Sequence, residues 1–232
     1  MTDSMATRLA AIEQRIAQAC ERAGRPAGSV ELLPVSKTFD ANAVRQAAAL
    51  GLRRFGENKT QEIREKAEPL AELGLSWVMI GHLQTNKVKD VVRDVAEVQS
   101  LDRQELADAL QRRLASAGRS LDVLIQVKTS PEPSKFGLPP EALPGLLTHL
   151  SEACPALRVQ GLMTMAVNSE DSAAVRACFR RLRELRDTLA CPALPLQRLS
   201  MGMSGDFEIA IEEGSTEVRI GSALFGARSY AI

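Results

Sequence analysis

The chain has 232 residues, of which 45% are hydrophobic and 25% are charged, a balance typical of a globular protein with a sizeable core. Its 29 Lys and Arg residues equal its 29 Asp and Glu residues in number, so no overall field favours nucleic acid or an anionic membrane. The first residues lack the apolar segment of a signal peptide and no apolar run is long enough to span a bilayer, so we expect a cytoplasmic protein.

Cysteine usage agrees with that compartment. The chain has four widely spaced cysteines, namely Cys20, Cys154, Cys178 and Cys191. They form no CxxC pair, and the sequence shows no metal-like spacing between them and His82 or His149. We therefore expect reduced, mostly buried thiols and no metal site.

Short apolar segments alternate with helical segments along the chain. Residues 4–23 predict an opening amphipathic helix, because apolar residues recur there every three or four positions. Eight later segments predict strands: 31–36, 53–56, 76–80, 95–99, 122–127, 157–163, 196–200 and 217–220.

Helix signals fill the gaps between these strands. Asp102 and Glu105 are spaced as a capping box, and Gly118 is placed to end that helix. Pro139 and Pro140 precede a stripe of leucines, as in a helix that is entered through proline.

Eight β-then-α units with short connections predict parallel strands closed into a single (β/α)8 TIM-type barrel with an extra N-terminal helix. An open, doubly wound α/β sheet is the alternative, but it favours a Gly-rich turn after the first strand, where this chain has Ser36, Lys37 and Thr38. No linker-like segment divides the chain, so we expect one domain over residues 1–232.

The functional site of such a barrel lies at the carboxyl ends of the strands. The segments after strands 7 and 8 (200–206 and 221–226) are rich in Gly and Ser. Barrels often bind phosphate there, through backbone N–H groups at the start of a short helix. Ser204 and Ser222 would add hydroxyl donors, although the glycines could also serve only as turn formers.

Lys37 and Arg219 end the first and last strands beside these segments. Alone, Lys37 would indicate only a solvated strand end; next to a phosphate site its amine could form a Schiff base. Two chemistries fit, an aldolase acting on a sugar phosphate and a pyridoxal 5′-phosphate (PLP) protein. Arg219 would either neutralise phosphate or face the pyridine nitrogen and keep it unprotonated, because arginine does not readily release a proton.

Six segments together resemble the pyridoxal phosphate homeostasis proteins, PLP-binding barrels similar to the N-terminal domain of alanine racemase. They are PVSKT (34–38), FGENKTQE (55–62), IGHLQTNK (80–87), GLMTM (161–165), SMGMSGDFEIAIEEGSTEVRIG (200–221) and LFGAR (224–228). The resemblance runs in order over nearly the whole chain and implies PLP as the cofactor.

The resemblance also implies roles for individual residues. Lys37 corresponds to the Schiff-base lysine, and Asn58 to the residue whose amide lies near the ring. Arg219 would face the pyridine nitrogen. The implied phosphate ligands are Ser204, Gly221 and Ser222, with Met203 acting through its backbone. His82 lies in a matching motif without an assigned contact, either as a polar residue of the mouth or as a structural loop histidine.

Two positions depart from the family pattern. The family often has Trp-His-Phe before IGHLQ, where this chain has Trp77, Val78 and Met79. The chain therefore has no histidine at that position to fill any role that it has in the family. Ser222 replaces a frequent threonine and keeps the hydroxyl.

The resemblance implies a PLP-binding protein of vitamin B6 homeostasis that has no catalytic residues and has PLP-dependent apo-enzymes as candidate partners. A weak amino-acid racemase is the alternative. The sequence disfavours a fast two-base racemase, because the only tyrosine, Tyr230, is near the end and matches no catalytic motif. Nucleic acid and membrane are not expected partners, and a monomer is expected because no dimer patch is evident.

Overall fold

The structure, a computed structural model, describes residues 4–226. The strands are β1 (Glu31–Pro34), β2 (Arg54–Glu57), β3 (Ser76–Met79), β4 (Glu97–Leu101), β5 (Leu121–Gln126), β6 (Leu157–Met163), β7 (Arg198–Ser200) and β8 (Glu217–Ile220). The α-helices are α1 (Met5–Arg22), α2 (Ala41–Ala49), α3 (Thr60–Ala67), α4 (Val88–Asp94), α5 (Gln104–Ser116), α6 (Leu143–Ala153), α7 (Ser172–Leu189), α8 (Phe207–Glu212) and α9 (Ser222–Phe225).

The eight strands form one parallel sheet in the order β1-β8-β7-β6-β5-β4-β3-β2. The sheet closes on itself just beyond β1, where Val35 bridges to Gly56 and the Ser36 N–H donates to the Gly56 carbonyl at 3.1 Å. The (β/α)8 barrel expected from the strand–helix alternation is therefore confirmed.

The expected N-terminal helix is also present, as α1. Ser4 caps it by accepting a hydrogen bond from the Thr7 N–H at 3.1 Å. Its apolar face packs on α8 and α9 in the outer layer, and Arg15 pairs with Glu208 at 2.9 Å. No helix in the described range 4–226 is long and apolar enough to cross a membrane.

The structure corrects some local predictions. The Asp102–Glu105 capping box is wrong: Arg103 is the N-cap of α5 and no side chain caps that helix. Asp102 instead pairs with Arg103 and lies 3.3 Å from His82 Nδ1, so its carboxylate is turned toward the barrel mouth. The fourth strand runs two residues later than expected, and β7 begins only at Arg198.

A polar network fills the amino-terminal end of the barrel interior. The carboxylates of Glu97 and Glu217 both bind Arg198, at 2.7 Å each, and both bind Arg54, at 2.9 and 3.0 Å. Gln99 donates to both carboxylates. Two buried carboxylates thus balance two arginines, as buried charges require.

Close approach of two strands explains one glycine. An added Cβ on Gly161, in β6, would overlap the carbonyl oxygen of Arg198 in β7. The β5–β6 register also shifts next to this residue, between Val123 and Leu124. Glycine here lets β6 lie against β7 while the barrel curves.

The cysteines are all free, and Cys20, Cys154 and Cys178 are buried whereas Cys191 is exposed. Contrary to the sequence spacing, the fold brings ligand atoms of Cys154, His149 and Asp108 within 4.8 Å of one another. His149 Nε2 lies 2.7 Å from Asp108 Oδ1, and burial raises the pKa of the Cys154 thiol. This arrangement is a hydrogen-bonded His149–Asp108 pair between α5 and α6 beside a protonated thiol.

Candidate functional site

A pocket of about 420 Å³ opens at the carboxyl ends of the strands, within the size range of small-molecule sites. All seven predicted site residues line it, together with His82. The complete lining is Val35, Lys37, Asn58, Ile80, Gly81, His82, Gln126, Phe136, Met163, Met165, Met203, Ser204, Gly205, Arg219, Gly221 and Ser222.

Lys37 sits in a tight turn directly after β1. The Phe39 N–H donates to the Ser36 carbonyl at 3.0 Å, which closes a four-residue turn with Lys37 at its second position. Thr38, at the third position, has φ 70°, a left-handed conformation that costs free energy for a residue with a side chain. Phe39 stacks on Phe225 of α9, with ring centroids 5.0 Å apart, so the turn is anchored beside β8.

A buried ion pair lies directly beneath this turn. Lys66, from α3, binds Glu57 at 2.6 Å and donates to the Ser36 carbonyl at 2.8 Å. The Ser36 hydroxyl also donates to Glu57, at 2.6 Å. Glu57 Oε2, however, has no hydrogen-bond partner in the described part of the chain. Burial of this carboxyl outweighs the attraction of Lys66 and raises the pKa of Glu57 to about 6.

This raised pKa predicts a pH dependence of stability. At pH values between 4.5, the ordinary pKa of this group, and about 6, a larger fraction of Glu57 is protonated in the folded protein than in the unfolded chain. Its contribution to the free energy of unfolding is therefore present at low pH and lost, by about 2 kcal/mol, as the pH rises through this window.

Urea unfolding of wild type and Glu57→Gln at a series of pH values measures this contribution, because the isosteric amide does not titrate. We expect the difference in unfolding free energy, wild type minus variant, to fall as the pH rises from about 4.5 to 6. A difference that grows with pH would show that the attraction of Lys66 outweighs burial and lowers the pKa of Glu57.

Arg219 lies on the pocket floor and is only 4% exposed. Its guanidinium donates to Ser200 Oγ and to the Thr164 carbonyl, both at 2.8 Å. Burial lowers the pKa of Arg219 and the carboxylates of Glu217 and Asp206 oppose that effect. The two fixed acceptors set the plane of the guanidinium, which leaves further N–H donors for the pocket.

The backbone of Met203 is hydrogen-bonded within the loop after β7. The Met203 N–H donates to Asp206 Oδ1 at 2.6 Å, and the Met203 carbonyl accepts from Asp206 and Phe207. The backbone of Met203 thus has partners within the loop, and its direct binding to phosphate stays a prediction. Ser204 differs, since its hydroxyl makes no hydrogen bond to any of residues 4–226.

Ser222 and Gly221 complete this side of the pocket. Ser222 is exposed and opens the four-residue helix α9, whose first N–H groups have no intrahelical partner. Gly221 lies against β1, because an added Cβ would stand 3.3 Å from the Val35 carbonyl oxygen. The loops after β7 and β8 therefore present hydroxyl and backbone donors on one wall.

The opposite wall comes from the loops after β2 and β3. An added Cβ on Gly81 would overlap the backbone of Asn58, so glycine allows these two loops to touch. His82 is exposed at the rim, where it stacks on Phe136 at a centroid distance of 4.1 Å and faces Asp102. His82 is thus a polar residue of the mouth that also has structural contacts, and both earlier interpretations describe part of its role.

Several lining residues were not identified from the sequence. Gln126 ends β5 and donates to the Phe136 carbonyl at 2.9 Å, which ties the 131–138 loop to the barrel. Met163 ends β6. Their positions at strand ends were the available signal, but apolar and amide side chains there carry no distinctive chemistry.

The charge of the lining limits what the pocket can bind. Lys37 and Arg219 are its basic residues, and no carboxylate belongs to the lining formed by the described residues. Apolar side chains, including Ile80 and Met163, line the same space. The pocket therefore suits an anionic ligand with an apolar body and a group that reacts with an amine.

Comparisons with known proteins agree with this assessment. Residues 7–229 match the family model described as "Alanine racemase, N-terminal domain". The chain is 47% identical over 224 residues to the pyridoxal phosphate homeostasis protein of Aquifex aeolicus, covering 96% of this chain and 98% of that one.

Among solved structures, PipY of Synechococcus elongatus with PLP bound superposes with a TM-score of 0.83 at 37% identity, covering 96% of this chain and 100% of that one. An alanine racemase of Clostridium difficile shares the fold, with a TM-score of 0.74 at 14% identity; the match covers 99% of this chain and 57% of the racemase.

Proposed function

The chain belongs to the pyridoxal phosphate homeostasis protein family, which carries the alanine racemase N-terminal domain, and we propose that it binds PLP at Lys37 and serves intracellular vitamin B6 homeostasis. The observation that carries this proposal is the composition of one pocket. An amine, a buried arginine and a wall of hydroxyl and backbone donors converge there without an opposing carboxylate.

Each part of PLP has a matching group. Lys37 would attack the aldehyde carbon through its neutral amine and, with loss of water, hold the cofactor as a Schiff base. Ser204, Gly221 and Ser222 would hold the phosphate, and Asn58 would lie beside the ring. Arg219 would donate to the pyridine nitrogen. When bound, PLP supplies an electron sink for amino-acid chemistry, which a protonated ring nitrogen strengthens.

We propose that the protein holds PLP without strong catalytic activity. Arg219 is fixed by two acceptors and would keep the ring nitrogen unprotonated, which weakens the electron sink. Lys37 and His82 are the only lysine and histidine of the described lining, and His82 already faces Asp102 at the rim. A two-base reaction would need a second base facing Lys37 across the ring. The racemase structure supports the shared fold alone.

The proposal extends to compartment and partners. Free cysteines suit the reducing cytoplasm. Apo-enzymes that require PLP are the partners that a carrier role implies. Exposed large hydrophobic side chains in residues 4–226 are Leu50, Phe136 and Met203, and the last two line the pocket mouth, so we propose a monomer.

Incubation with PLP, removal of free cofactor and reduction with borohydride test this function. We expect one PLP per chain, a change in its visible absorbance on binding, and a reduced adduct that peptide mapping places on Lys37. Pyridoxal, which has the same aldehyde but no phosphate, is the matched control and should bind at least about tenfold more weakly. Equal affinity for the two ligands would contradict the proposal that Ser204, Gly221 and Ser222 hold the phosphate.

Exchange of the α-hydrogen of alanine in deuterated water separates the binding protein from the weak racemase. A rate no faster than that of free PLP supports the binding protein. A faster rate that is lost in Lys37→Ala would establish the enzyme.

A further inference from the structure

Glu62 fixes the strained turn that carries Lys37. Its Oε2 accepts the Thr38 N–H at 2.7 Å, and Thr38 is the residue with φ 70°. Such a backbone conformation persists only where the surroundings hold it. Glu62 is in α3, four residues before Lys66. The hydrogen bond that stabilises Thr38 therefore comes from outside the turn that contains Lys37.

The buried pair beneath the turn keeps Glu62 in place. Lys66 Nζ lies 3.5 Å from Glu62 Oε2 while it binds Glu57 and the Ser36 carbonyl. One rigid charged cluster therefore holds the residues on both sides of Lys37, Ser36 through its carbonyl and hydroxyl and Thr38 through its N–H. Lys37, between these two residues, lines the pocket.

We propose that Glu62 is a positioning residue: by accepting the Thr38 N–H it sets the backbone from which the Lys37 amine reaches the cofactor. This inference rests on the proposed function for the identity of the ligand. The position of the Lys37 backbone matters because bond formation needs the amine within contact distance of the aldehyde carbon, and a displacement of about 1 Å is costly for such a step.

Three variants on one helix test the inference. Glu62→Ala removes the acceptor, whereas Glu62→Gln removes the charge but keeps an acceptor oxygen. Glu65→Ala is the matched control, because Glu65 is an exposed residue of the same helix whose described hydrogen bond is to Gln61.

We expect Glu62→Ala to bind PLP about tenfold more weakly than wild type, and to be trapped by borohydride about tenfold more slowly. Glu62→Gln should keep its PLP affinity and trapping rate within about threefold of wild type. Glu65→Ala should match wild type in both. Because Glu62 is partly exposed, melting temperatures should change by only about a few degrees in all three variants.

Hydrogen exchange in the PLP-free protein gives a readout that does not depend on the ligand. The Thr38 amide should exchange about tenfold faster in Glu62→Ala than in wild type or Glu65→Ala. Unchanged exchange, or PLP binding by Glu62→Ala that equals wild type, would overturn the inference and leave the proposed function intact. Failure of wild type to form the Lys37 adduct would instead refute the proposed function, while the exchange measurement would still decide whether Glu62 holds the turn.

Discussion

Replacement of Lys37 by alanine is expected to abolish covalent retention of PLP and to weaken its total affinity at least about 100-fold, a loss of about 3 kcal/mol or more. In the proposed site this amine makes the only bond that holds the aldehyde end, and hydroxyl and backbone donors at the phosphate end cannot replace it. Lys37 is partly exposed in a turn, so stability should change by only about 0.5 kcal/mol.

Borohydride reduction followed by peptide mapping measures this effect. Lys87→Ala is the control, because Lys87 is an exposed lysine of the loop after β3 that lies outside the pocket lining. The control should yield the wild-type amount of adduct. If Lys37→Ala still formed an adduct in normal yield on another lysine, Lys37 would not be the residue that binds PLP.

The barrel and most of its pocket could be predicted because they depend on order along the chain. Parallel strands bring their carboxyl ends together, so residues that follow different strands, such as Lys37 and Ser204, meet without any local signal that links them. Boundaries were harder: β1 ends at Pro34, although Val35 and Ser36 still pair with the neighbouring strands and close the barrel before the Lys37 turn begins. One domain over 1–232 stays a prediction, and Tyr230 lies outside the described residues.

The residues beneath the site could not be predicted in the same way. Lys66 is part of an amphipathic helix with several charges, where a lysine is usually solvated; only the structure shows it 5% exposed against Glu57. The partners of the Met203 backbone could not be predicted for a related reason. Its motif gave the correct location, but which partner takes a backbone N–H depends on the nearby Asp206 side chain.

The polar network inside the barrel does have a signal in the sequence. Polar residues alternate with apolar ones in three strands, as Glu97 and Gln99, Arg198 and Ser200, and Glu217 and Arg219. A period of two places each pair on one face of its strand, and here that face is the barrel interior. The network continues from Glu217 through Ser200 to Arg219, so it joins the charged end of the barrel to the pocket floor.

This network predicts the largest loss of stability. Glu217→Gln should lower the free energy of unfolding by about 3–5 kcal/mol, because within residues 4–226 it leaves Arg54 and Arg198 with Glu97 as their one buried carboxylate. Glu31→Gln is the matched control: Glu31 binds the same Arg54, at 2.8 Å, but its side chain is 67% exposed. It should cost about 0–1 kcal/mol. Urea unfolding measures both variants.

Acid titration separates charge loss from a packing defect. Burial raises the pKa of Glu217, and Arg198 and Arg54 more than offset it, so the net pKa is lowered. The contribution of Glu217 is therefore present above its ordinary pKa and is lost as the pH falls through its folded value. The stability gap between wild type and Glu217→Gln should narrow as the solution is acidified. A gap that stays constant down to low pH would show that the variant fails through packing, and that charge pairing does not hold this end of the barrel.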